Sequence, residues 1–133
     1  MEKKIKDIYR CKPEKTDIDD PLVKWYNSVI EKDVSQLTKG DAARCIRQNV
    51  FVETAAEAIL GYLLDDPLAG DMFEGELMEK ASQIDSGILK KYSSAVFEIL
   101  NRSYLLLEDH IWDFTEDRQE FYESVRKLEA AVK

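Results

Sequence analysis

Residues 38–67, TKGDAARCIRQNVFVETAAEAILGYLLDDP, carry the pattern that decides the fold. Thr38 and Asp41 have the spacing of a capping box, with Asp in place of the usual Glu. Ala42, Cys45 and Ile46 then supply one apolar stripe, in which Cys45 reads as a small core residue. Val52, Ala55, Ala56, Ile59, Leu60 and Leu63 keep a helical period, so a second helix runs from about residue 52 to residue 64. Its alanines predict close approach to a neighbouring helix. Asp66-Pro67 should end it, because the residue before a proline avoids the helical region.

The same period extends outward in both directions. On the N-terminal side, Asp20 is placed to cap a helix with Pro21 as its first residue. Leu22, Tyr26, Val29 and Ile30 share a face, and Trp25 lies on its flank. Residues 1–19 are polar and read as poorly ordered, with at most a helical turn around Ile5, Ile8 and Tyr9. On the C-terminal side, residues 65–73 read as a loop hinged at Gly70, and Gly75 stands before a short helix through Leu77 and Met78. Asp85 or Ser86 caps a longer helix striped by Ile88, Tyr92, Val96 and Ile99, with a predicted interruption at Asn101-Arg102-Ser103. A last helix follows Thr115, with Phe121, Val125, Leu128 and Val132 on its inner face. No segment alternates like a strand. The expectation is one all-α domain over residues 1–133, a bundle of about five to seven helices.

Composition supports a globular chain: 133 residues, 44% hydrophobic and 35% charged. The net charge of −8 is concentrated, since residues 48–89 hold nine acids and one base, Lys80, a local balance equal to that of the whole chain. An acidic centre argues against nucleic acid as the direct ligand and is compatible with a basic protein partner. Cys11 and Cys45 follow no paired spacing. MEKKIKDIYR lacks the apolar run of a signal peptide, and the apolar stretch at 58–64 is too short to span a bilayer. The reading is a soluble, cytoplasmic protein with reduced thiols and no membrane association. Nothing in the chain fixes an oligomeric state.

Few residues of the chain are spaced for catalysis or metal binding. His110 is the only histidine, which removes His-rich metal sites, HExxH and zinc fingers. The acidic loop at 65–76 does not fit an EF-hand, because Pro67 and Ala69 fall at ligand positions. No Gly-rich phosphate loop is present. Neither a cofactor, a metal nor catalysis is expected. The remaining nucleophile option pairs Cys45 or Cys11 with His110, without any cue that they meet. Trp112 and Phe114 read either as anchors of the last helix or as a partner contact.

The ordered words of the centre resemble a known family. Leu37-Thr38 with Asp41, Ile46-Arg47-Gln48-Asn49, Leu63-Leu64-Asp65-Asp66-Pro67-Leu68, Gly70-Asp71, Phe73 and Gly75-Glu76-Leu77 stand as they do in the all-helical immunity proteins of bacterial contact-dependent growth inhibition (CDI). Ala56-Glu57-Ala58 departs from the bulkier sequence of that family. The resemblance implies a protein that binds and neutralises the toxic C-terminal domain of a cognate effector, often a nuclease with a basic face. A generic acidic helical adaptor is the alternative. Because members recognise different toxins, the shared motif residues read as scaffold. The contacts are then expected among the exposed acids around them: Asp65, Asp66, Asp71, Glu74, Glu76 and Glu79, with Trp112 as a secondary candidate.

Overall fold

The computed structural model describes residues 3–15 and 19–133. Residues 1, 2 and 16–18, part of the N-terminal stretch expected to be poorly ordered, lie outside the described residues. Among the described residues, eight α-helices follow in order: α1 (Ile5–Tyr9), α2 (Pro21–Val29), α3 (Lys39–Gln48), α4 (Val52–Asp65), α5 (Glu76–Ala81), α6 (Ser86–Lys90), α7 (Ser93–Asp109) and α8 (Thr115–Val132). A single 3₁₀ turn, Val34–Gln36, precedes α3. No strand occurs among the described residues, and the all-α class stands. The helices beyond the expected number are short: α1 and α6 have five residues each.

α4 is the hub, packing on α3, α5, α6 and α7. Ala42 and Ala43 of α3 and Ala55 and Ala56 of α4 are buried, and these short side chains let the two helices approach closely. Ile59 and Leu63 extend the buried face of α4 along the helix, and the Tyr62 hydroxyl donates to the Leu37 carbonyl at 2.6 Å. The end of α4 is held from outside, because the Arg102 guanidinium donates to the carbonyls of Leu64 and Asp65.

That contact corrects the predicted interruption at Asn101-Arg102-Ser103. α7 runs through it, with Arg102 capping α4 and the buried Ser103 hydroxyl donating to the Ile99 carbonyl at 2.7 Å. The chain breaks earlier, between Lys90 and Ser93, so the single helix expected from Asp85 is α6 and α7. Ser93 and Ser94 suit a helix start better than an interior. In the described part of the N-terminal segment, α1 contacts the rest of the domain. Ile5 is buried, its N–H donates to the Lys32 carbonyl at 2.8 Å, and Tyr9 packs on Phe51 at 5.0 Å.

The capping box at α3 is present: the Thr38 hydroxyl accepts from the Asp41 N–H, and Asp41 accepts from the Thr38 N–H. Asp41 also accepts from the Lys32 ammonium at 2.6 Å and the Trp25 indole at 3.1 Å. Burial pushes this carboxyl up, but Lys32, the Thr38 N–H and Trp25 together hold it below its ordinary value of 3.8. With the folded pKa below the unfolded one, the stabilisation is fully present above pH 3.8 and is lost as pH falls through the folded value. Asp41→Asn should therefore lower Tm at neutral pH, and the gap to wild type should narrow below pH 3.8 in thermal melts across pH. A gap that stays constant would show that ionisation of Asp41 contributes nothing.

Candidate functional site

The N-terminal half of α8 lies beside α5 and the loop that precedes it, and an open groove of about 460 Å³ runs between them. One wall is Phe73, Glu74, Gly75 and Glu79; the other is Asp113, Asp117, Glu120, Phe121 and Ser124. Five of these nine residues are acids, and none is Lys or Arg. Glu74 lies 3.7 Å from Nε2 of His110, and Glu79 lies 3.8 Å from Nζ of Lys80. Among the described residues, Asp113, Asp117 and Glu120 have no ion-pair partner. Like charges lining one concavity focus a negative potential outward.

Local structure explains the shape. Gly75 takes φ +85°, the left-handed region that favours glycine, and turns the loop into α5. A Cβ there would come within 3.3 Å of the Phe121 ring. Phe121 is buried and forms the floor; Trp112 packs on it at 5.4 Å, and His110 meets Trp112 edge-on at 4.7 Å. The Trp112 indole nitrogen is buried with no acceptor among the described residues. Trp112 thus supports the groove from behind. Met72, Phe73, Ile111 and Phe114 are exposed in the two segments that frame it.

The acids singled out from sequence are dispersed. Glu74 and Glu79 meet in the groove. Asp65 is exposed at the end of α4, and Asp66 lines a separate cleft with Pro67, Arg102 and Leu105. Asp71 lies over the first turn of α3, where a Cβ on Gly40 would stand 3.0 Å from its Oδ2, and it shares a cleft with Arg44 and Arg47. Glu76 corrects the expectation of an exposed acid. It is 4% exposed, and its Oε1 accepts from the backbone N–H groups of Asp71 at 2.7 Å and Met72 at 3.0 Å. These two loop N–H groups are satisfied by the buried Glu76 carboxylate.

Three groove acids were not read from sequence. Asp117 and Glu120 stand beside the apolar stripe of α8 at a three-residue spacing, and Asp113 precedes the helix, so only the first two carried a periodic signal. The pairing of Cys45 with His110 loses support: Cys45 is fully buried, and burial, with the nearby Asp41 charge, pushes its thiol up to about 12. Among the described residues, no group of three or more His, Cys, Asp and Glu is arranged to hold a metal ion, and no helix is long and apolar enough to cross a membrane.

Residues 7–99 match the family of CDI immunity proteins, well over half of the chain. The chain belongs to that family. Comparison with curated proteins and with solved structures finds no match. In this immunity protein the matched span includes one wall of the groove, residues 73–79. The other wall, residues 113–124, lies beyond it.

Proposed function

We propose that this immunity protein neutralises the toxic C-terminal domain of its cognate CDI effector by docking the acidic groove against a basic face of that domain. The observation that carries the reading is the ring of five carboxylates with no lining Lys or Arg. Such a surface steers a basic partner into encounter and repels nucleic acid and other acidic surfaces. A nuclease toxin fits best, since the face that meets phosphates must be basic. The protein acts in the cytoplasm, where such a toxin finds its substrate, and needs no catalysis or cofactor of its own. One groove wall lies outside the family-matched residues, which supports recognition of one particular toxin on a shared scaffold.

Co-expression with the C-terminal domain of the cognate CDI effector tests this. Cells should survive toxin induction only when the immunity protein is present, and the two proteins should co-purify. Full toxicity in its presence would end the reading. No protection and no co-purification, with a different cellular protein as the partner, would favour the adaptor alternative.

A further inference from the structure

We propose that Met72 and Phe73 form a preshaped apolar anchor that seats in an apolar depression of the toxin domain, beside its basic face. This deepens the toxin-binding reading above and rests on it. Met72 is 77% exposed and Phe73 50% exposed. Their presentation is not left to a loose loop. The buried Glu76 carboxylate holds the N–H groups of Asp71 and Met72. The Gly75 N–H donates to the Leu68 carbonyl at 2.9 Å, and the Leu77 N–H to the Ala69 carbonyl at 3.1 Å. At Gly70 a side chain would overlap the Phe73 carbonyl oxygen, so the chain folds tightly back on itself there. A buried carboxylate and a steric requirement for glycine thus fix two apolar side chains outward, where water disfavours them.

The surroundings select the occupant. Phe73 lines the acidic groove, and Met72 lines the cleft that holds Arg44 and Arg47. The apolar pair therefore stands between the acidic groove on one side and, on the other, a cleft in which Asp41 and Asp71 accompany the two arginines. Specific interfaces have this layout, an apolar centre with a charged rim, and a loop already in its bound shape loses little entropy on docking. Charge complementarity makes the occupant a basic protein surface, the same toxin domain that the groove faces.

The test is binding kinetics against the immobilised, inactivated C-terminal domain of the cognate effector. The double variant Met72→Ala, Phe73→Ala should dissociate about 30-fold faster, with association within about threefold of wild type. Met72→Leu with Phe73→Leu should restore most of the residence time. Thermal melts should show all variants folded, since both side chains are exposed. Tight wild-type binding with an unchanged dissociation rate in the alanine variant would overturn the anchor and leave the toxin-binding reading standing. No binding by wild type would overturn both.

Discussion

Replacing Asp113, Asp117 and Glu120 by lysine is expected to weaken binding of the toxin domain about a thousandfold, roughly 4 kcal/mol. The three carboxylates share one wall of the groove and, among the described residues, have no ion-pair partner to lose. Reversal therefore acts on the partner rather than on an internal contact. The loss should fall mainly on association at low salt, and the variant should lose the salt dependence that wild type shows. The cost to the fold is smaller. Asp117 lies in the first turn of α8, where a cation opposes the helix dipole, worth about 0.3–1 kcal/mol. The buried stripe of α8, Phe121, Val125, Leu128 and Val132, is untouched. Binding titrations at two salt concentrations, with thermal melts as the control, separate the effects. Lysine at Asp65 and Asp66, in and beside another cleft, is the comparison. If that pair weakens binding more than the groove triple does, the interface lies on the α4–α7 side.

The fold was legible where one helix face or one cap decides the structure. The Thr38–Asp41 box, the Asp20-Pro21 start and the stop at Asp66-Pro67 are local chemistry, and each is present. Structure made by contacts between distant segments was not legible. Arg102 looked like part of a helix-breaking triplet, yet its guanidinium ends α4 from across the bundle. The site divides along the same line. Glu74 and Glu79 were visible as acids in an acidic run, whereas their grouping with Asp113, Asp117 and Glu120 exists only because α8 packs on α5. Glu76 carries the same charge in the same run, but the unpaired N–H groups of the loop draw it inward. A charge count cannot separate a carboxylate that faces water from one that closes a loop.

Leu63→Ala is expected to cost about 3–4 kcal/mol, a large single effect on stability, because α4 packs against four other helices. Leu63 is completely buried, so truncation removes its transfer energy and leaves a cavity that the tightly packed neighbours cannot close. With an unfolding entropy of about 2.1 cal/mol/K per residue, Tm should fall by roughly 11–14 °C. Leu64 is partly buried, and its alanine variant should lose less than half as much. Gly61, two positions earlier on the opposite face, gives the control of opposite sign. It is an exposed interior residue of α4, and a Cβ there would meet nothing within 4 Å. Gly61→Ala should gain up to about 1 kcal/mol from helix propensity alone. A Leu63→Ala loss below about 1 kcal/mol would mean that α4 is not the packed centre of the domain. A destabilising Gly61→Ala would mean that this face of α4 is covered in the protein in solution, and that a further packing surface lies there.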